Sequence, residues 1–169
     1  MPSTIRGGDN FDSGQRLTST ASQSSTSGTS VDFTGIPNWA KRITVVFNGV
    51  QMASTGVYLR LQLGTSGGIT SSGYSSAAAD SGGSNTATTG FTLNQGSGAT
   101  YLWSGNVTLV NIGGNTWIES GLIGAISPGT NISYSTGSVS LASAIATVRL
   151  TTSTGSTAFT AGSVSIIYE

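Results

Sequence analysis

Residues 57–63 (VYLRLQL) alternate apolar and polar side chains without a break. Successive side chains of an extended chain point to opposite faces, so this period of two predicts a strand with one buried face. The apolar positions are Val57, Leu59, Leu61 and Leu63, and the polar positions between them are Tyr58, Arg60 and Gln62. This stretch is the clearest indication that the chain folds into β-sheet.

The same period of two recurs along the chain, in 42–48 (RITVVFN), 101–112 (YLWSGNVTLVNI), 146–150 (ATVRL) and 164–168 (VSIIY), with a short strand expected at 91–93. The 101–112 stretch predicts one long strand, or two strands with a kink at Gly105. Gly113–Asn115 predict a hairpin turn. The best helix candidate, 141–146, is short and runs into a β pattern. We therefore predict an all-β fold, a jelly-roll-like β-sandwich.

The chain divides into an extended N-terminal arm, residues 1–30, and a β-sandwich head, residues 31–169. Residues 17–30 (LTSTASQSSTSGTS) are almost entirely Ser, Thr and Gly. Such a segment buries too little to offset an ordering cost of about 1–2 kcal/mol per residue, so we expect the arm to dock on other subunits. Within the head, residues 64–90 are expected to form one long loop, and loops of this length commonly bind a partner.

The charge of the chain is low and balanced. Charged residues make up 7 % of the sequence, and the six Lys and Arg are matched by six Asp and Glu. Six scattered cations cannot build the basic face that a nucleic-acid binder needs, so nucleic-acid binding is excluded. A neutral surface of small polar side chains does little to oppose self-association, and the absence of Cys leaves oligomerisation as the usual stabiliser. We expect a homo-oligomer.

The sequence also shows neither the features of a signal peptide nor those of a membrane-spanning segment. The sequence contains no positively charged start followed by an apolar run, and no apolar run long enough to span a membrane. We therefore expect a protein made in the cytoplasm and not inserted into a membrane.

The sequence offers little for catalysis. There is no His, which removes Ser-His-Asp catalysis and His-based metal sites. The Asp9-x-x-Asp12 pair lacks the spaced oxygen ligands of a calcium loop, so we expect neither a metal nor another cofactor. A small polysaccharide depolymerase remains the enzymatic alternative, and it would require Asp32, Asp80 and Glu119 to converge in one cleft. We expect a protein that is not an enzyme.

Aromatic residues are the better candidates for binding. Trp103 and Trp117 lie within predicted strands and are expected in the core. The possible partner or receptor contacts are Phe11 in the arm, Trp39 in a loop before a strand, and Tyr74 and Asp80 in the 64–90 loop. Tyr74 has an alternative role, in which it pins the loop to its own domain.

Four stretches carry a family resemblance, in the order VDFTGIPNWAKRITVVFNGV (31–50), LQLGTSGGITSSGY (61–74), GNTWIESG (114–121) and TAFTAGSVSIIYE (157–169). This set resembles a β-rich module at the carboxyl ends of bacteriophage tail-fibre and related virion proteins. The resemblance covers about residues 31–169 and implies a β-sandwich tip, commonly a trimer, that is exposed on the particle and often faces the host. It carries no binding residues over to this chain.

The resemblance implies a phage virion surface protein that contributes to host-surface recognition, with host polysaccharide as a candidate ligand of the 64–90 loop. Only about 30 residues precede the module, which leaves a second hypothesis open. In that hypothesis the protein decorates a capsid and binds the lattice, or other virion proteins, through residues 1–30.

Overall fold

A computed structural model describes residues 17–96, 98–127 and 131–169. Within these ranges the chain forms fourteen β-strands and no helix. The strands are β1 (Thr18–Ser19), β2 (Gln23–Ser24), β3 (Val31–Thr34), β4 (Arg42–Met52), β5 (Leu59–Thr65), β6 (Gly68–Ile69), β7 (Ser75–Asp80), β8 (Gly83–Ala87), β9 (Phe91–Thr92), β10 (Trp103–Gly113), β11 (Thr116–Ala125), β12 (Asn131–Ser140), β13 (Ile145–Thr152) and β14 (Phe159–Tyr168). None of the described ranges contains a helix that could span a membrane.

The strands form two antiparallel sheets. The larger sheet has nine strands in the order β1-β14-β4-β10-β11-β12-β7-β8, with β2 also paired to β14. The smaller sheet has five strands in the order β3-β13-β5-β6, with β9 paired to β5. Inward-facing side chains of both sheets form one continuous core, which confirms the predicted all-β sandwich.

The alternating stretch that predicted the fold lies at the centre of this packing. Leu59, Leu61 and Leu63 of β5 are fully buried, while Arg60 and Gln62 lie on the outer face of the smaller sheet. The strand begins at Leu59, two residues after the pattern begins. The period of two therefore assigned the faces of this strand correctly.

Gly105 produces a bulge within a continuous strand. The pairing of β10 with β4 shifts register between Trp103 and Gly105. Gly105 has a φ of +140°, and a Cβ there would lie 2.4 Å from the carbonyl oxygen of Leu122. Only glycine fits, and the strand runs on, so the first of the two alternatives for 101–112 is correct. The predicted hairpin turn is also confirmed, since β10 and β11 pair on either side of Gly114.

The expectation of one long loop at 64–90 is wrong. This segment contains β6, β7 and β8, and β7 and β8 form a hairpin whose last pair is Asp80 with Gly83. Three consecutive alanines (77–79) have weak strand preference and concealed β7 in the sequence. Pairing with the long strand β12 supplies the backbone hydrogen bonds that local preference does not indicate.

The described part of the arm, residues 17–30, lies on its own domain, and docking of the arm on other subunits stays a prediction. Its strands β1 and β2 pair with β14 at the edge of the larger sheet. Ser25 is buried and its Oγ donates to the carbonyl of Ala161 at 2.9 Å. An unpaired sheet edge offers backbone groups to any extended chain, which explains how so polar a segment is ordered. Residues 1–16 lie outside the described part of the chain.

Candidate binding surfaces

The residues singled out in the sequence do not form one site. Phe11 lies outside the described residues. Trp39 is 42 % exposed and packs against Tyr168, with ring centroids 5.7 Å apart. Among the predicted contact residues that the structure describes, Trp39 is therefore the aromatic one that a partner could still reach.

Tyr74 is a correction, because it is only 3 % exposed and offers a partner no surface. Its hydroxyl accepts a hydrogen bond from the backbone N–H of Leu63 at 2.7 Å and donates to the carbonyl of Thr70 at 3.1 Å. Its ring meets Phe91 edge to face. Burial raises the pKa of Tyr74 to about 12, opposed by the hydrogen bond to the Leu63 backbone. Tyr74 therefore pins its own segment to the domain.

Asp80 has a local structural contact on each carboxylate oxygen. Its Oδ1 accepts from the backbone N–H of Gly82, and its Oδ2 accepts from Nδ2 of Asn131, both at 2.7 Å. The first bond closes the β7–β8 turn, and the second joins that turn to the start of β12. These contacts account for the carboxylate without a ligand.

The two strand tryptophans behave as expected. Trp103 and Trp117 are 0 % and 2 % exposed and belong to the core cluster. They contribute packing area and are closed to sugars or other partners.

The three carboxylates of the enzymatic alternative are not brought together. Asp32 lies on the outer face of the smaller sheet, whereas Glu119 is fully buried on the inner face of the larger sheet. Glu119 lies opposite Gly137, which lies opposite Ser76, and Asp80 is four residues further along β7. At about 3.3 Å per residue that step alone is roughly 13 Å. Asp32, Asp80 and Glu119 thus do not form the paired geometry that a glycosidase requires.

Glu119 is instead a buried acid within the core. Ser135 Oγ donates to its Oε1 at 2.6 Å, and its Oε2 has no hydrogen-bond partner among the described residues. Burial raises the pKa of Glu119 to about 7, opposed by the hydrogen bond from Ser135. The carboxyl is therefore partly protonated at neutral pH, which lessens the cost of burying it.

The first half of strand β12 buries small polar side chains and exposes large apolar ones. Ser133 and Ser135 face the core and are buried, while Ile132 and Tyr134 are 64 % and 60 % exposed. At Gly137, also on the inner side of β12, a Cβ would lie 2.8 Å from a ring carbon of Phe91. Only glycine fits at that position, whereas Val139, two residues further along the same side of β12, is buried in the core.

These residues form an apolar patch on the outer face of the larger sheet, defined here as Leu122, Ile126, Ile132 and Tyr134. Leu122 pairs directly with Tyr134, and Gly124 pairs with Ile132, so the patch crosses β11 and β12. The four side chains are 58–66 % exposed. Strands β10, β11 and β12 carry one charged residue, Glu119, which points inward. The outer face of these three strands is therefore uncharged.

The outer face of the smaller sheet is different. It carries a polar groove of about 440 Å³, here called the arginine groove. The lining consists of Arg60 and Arg149, Gln62, Gly155 and the hydroxyl residues Thr29, Ser30, Ser71, Thr89, Thr151, Thr152, Ser153 and Thr154. Arg149 makes a bidentate ion pair with Asp32, at 2.7 and 2.6 Å. Neither surface was predicted, although the alternation of Ile132 and Tyr134 with serines could have indicated an exposed apolar strand face.

Protein-family models, curated proteins and solved structures were each compared with this chain, and none of the three comparisons finds a match.

Proposed function

We propose that this protein is a non-catalytic surface subunit of a bacteriophage particle, which assembles with further copies of itself through the apolar patch and contributes to host-surface recognition. The observation that carries the assembly role is the reversed presentation of β12, which exposes Ile132 and Tyr134 while it buries serines. Exposed contiguous apolar surface of this kind is typical of protein–protein contacts.

A second copy is the occupant that best fits the patch. The outer face of β10–β12 has no charge that could steer a charged partner, and a neutral face does not repel its own copy. With β4 and β7 alongside, four strands of ten or eleven residues and one of six, at about 3.3 Å per residue and about 4.8 Å spacing, cover roughly 760 Å². That is about the area each partner contributes to a standard stable interface.

The virion role and the trimeric state rest on the resemblance of residues 31–169 to phage tail-fibre tips. The described residues form a β-sandwich in which Asp32, Asp80 and Glu119 do not converge. That arrangement is compatible with the virion role and with a protein that binds and does not catalyse. The fold alone does not carry the function, because many unrelated functions share sandwich folds.

Light scattering after size-exclusion chromatography tests the assembly role. We expect the mass of three copies of the 16.9 kDa chain, the number that the resemblance implies, with the three apolar patches meeting around one three-fold axis. Tyr134→Asp should convert the oligomer to a monomer, because it places a charge within a desolvated apolar contact. Thr34→Asp introduces the same charge at an exposed position of β3 on the smaller sheet. It is the matched control and should keep the oligomer. A wild-type monomer at all concentrations would contradict the proposal.

Cryo-electron microscopy of a particle that contains this chain tests the virion role. Density at the tail or at fibre ends would support host recognition. Density spread over the capsid lattice would favour the decoration protein, and residues 1–30 would then be the segment to delete. Absence of the chain from purified particles would overturn both.

A further inference from the structure

Arg60 is held in a fixed position on the outer face of the smaller sheet. Its stem crosses Gly90, where a Cβ would lie 2.6 Å from the Arg60 Cγ and 2.7 Å from its Cδ. Its Nη1 donates to Thr89 Oγ1 at 2.8 Å and to the carbonyl of Ser153 at 3.2 Å. Glycine at position 90 therefore provides the space in which the guanidinium is fixed before any ligand arrives.

The charge of Arg60 is not neutralised within the described part of the chain. The two ion pairs there are Arg149 with Asp32 and Arg42 with Glu169. The Arg60 Nε is buried and has no hydrogen-bond partner, and burial lowers the pKa of its guanidinium. A half-buried cation without a counter-charge is unfavourable, and an anion that entered the groove would relieve that cost.

The rest of the groove is suited to a polyhydroxylated molecule. Eight of its lining residues carry hydroxyls, which can both donate and accept hydrogen bonds. Thr151 and Thr152 are buried, and the other six are at least partly exposed. Its volume of about 440 Å³ lies within the usual range for small-molecule sites. Tyrosine, tryptophan and large aliphatic side chains are missing from the lining, so an apolar ligand would find no complementary surface.

We propose that the arginine groove binds a carboxylated sugar, with the carboxylate bonded to the Arg60 guanidinium and the ring hydroxyls bonded to the threonine and serine walls. The Arg60 Nη1 already donates to Thr89 and Ser153 and its Nε is buried, so Nη2 is the nitrogen that donates to the carboxylate, in a charge-assisted hydrogen bond stronger than a neutral one. A neutral sugar would leave the cation unpaired. A nucleic acid would need several free cations, and this groove offers one, because Arg149 is engaged by Asp32. The assignment extends the proposed host recognition, but its test needs only the isolated protein.

The test is a calorimetric or NMR titration of the full chain with methyl glucuronide. Methyl glucoside, which has the same ring without the carboxylate, and glucose 6-phosphate, which replaces the carboxylate by a phosphate, are titrated in parallel. We expect the glucuronide to bind at least about 10-fold more tightly than the glucoside, the ratio that one charge-assisted hydrogen bond supplies.

Two variants locate the site and one serves as a control. Arg60→Gln should weaken glucuronide binding about 10-fold or more and leave glucoside binding unchanged. Ser30→Glu places a carboxylate at an exposed position of the groove, so it should weaken binding by repulsion even if Arg60→Gln fails to fold. Arg42→Gln removes a cation from the larger sheet and should bind as the wild type does.

Equal affinities for glucuronide and glucoside would overturn the proposal, as would an Arg60→Gln or Ser30→Glu variant with wild-type affinity. Tighter binding of glucose 6-phosphate would also overturn it, because the ligand class would then be a phosphorylated one. These results are independent of the oligomer mass, so failure of the groove and failure of the assembly role can be told apart.

Discussion

The two outer faces of the sandwich differ in kind, although both sheets contribute to one core. The larger sheet presents large apolar side chains and no charge on β10–β12, while the smaller sheet presents hydroxyls and two arginines. An apolar face gains free energy when another surface covers it, whereas a polar groove remains solvated until a matched ligand arrives. We infer that the outer face of the larger sheet serves assembly and that the outer face of the smaller sheet serves ligand recognition.

The largest effect on the free energy of unfolding is expected at Gly137, where the inner side of β12 contacts Phe91. Gly137→Val would drive a side chain into the Phe91 ring carbon, the Ser75 carbonyl and the Ser76 Cβ, all within 2.9 Å. We expect a loss of about 3 kcal/mol or more in the free energy of unfolding, measured in urea, because overpacking at a backbone contact cannot relax. Gly124→Val is the matched control.

A Cβ on Gly124 would meet nothing closer than the Asn131 carbonyl oxygen at 3.7 Å, so that variant should unfold like the wild type. If both glycine variants were equally stable, the inner side of β12 would not pass as close to Phe91 at Gly137 as the structure places it.

Glu119 gives the next largest effect, and it depends on pH. Because its folded pKa of about 7 lies above the ordinary value of 4.5, the unfolded chain ionises first as pH rises. The free energy of unfolding should therefore fall between about pH 4.5 and pH 7 and then level off, by roughly 3 kcal/mol in total. Glu119→Gln should be less sensitive to pH over that range and more stable than the wild type at pH 8.

Urea titrations at intervals from pH 4 to pH 8 measure this effect. Asp80→Asn, which alters a partly exposed carboxylate on the same sheet, is the comparison variant. If Glu119→Gln showed the same pH dependence as the wild type, Glu119 would not be the group that titrates over this range.

The sequence predicted the parts of this molecule that follow local pattern. The alternation in β5 assigned its buried and exposed faces correctly because the smaller sheet packs its apolar side against the core. The same rule fails for β12, where Ser133 and Ser135 are buried while Ile132 and Tyr134 are exposed. The orientation of β12 is set by its pairing with β11 and β7, which no local window contains. The arginine groove depends on the pairing of Gln62 with Arg149 across β5 and β13, which no local window contains.

A smaller effect is expected from Asp32, which holds Arg149 on the smaller sheet. Asp32→Asn should lower the free energy of unfolding by about 1 kcal/mol or less, because both side chains of the pair are one-third exposed. It also frees a second guanidinium at the groove. Glucuronide binding should therefore become several-fold tighter and more sensitive to salt. Unchanged or weaker binding would place the ligand away from Arg149.

Ile132 should give the smallest change in the stability of the folded chain, and this distinguishes an interface from a core. Ile132→Ala removes a side chain that is 64 % exposed, so at a concentration where the chain is monomeric the free energy of unfolding should change by less than about 0.5 kcal/mol. Ile123→Ala, on the neighbouring strand and 1 % exposed, should cost about 2–5 kcal/mol. In light scattering the order should be reversed, and Ile132→Ala should lower the oligomer mass more than Ile123→Ala does. Truncation of Ile132 removes apolar area from the contact while it leaves the monomer intact. If Ile132→Ala left the concentration dependence of the oligomer unchanged, the apolar patch would not be the assembly surface.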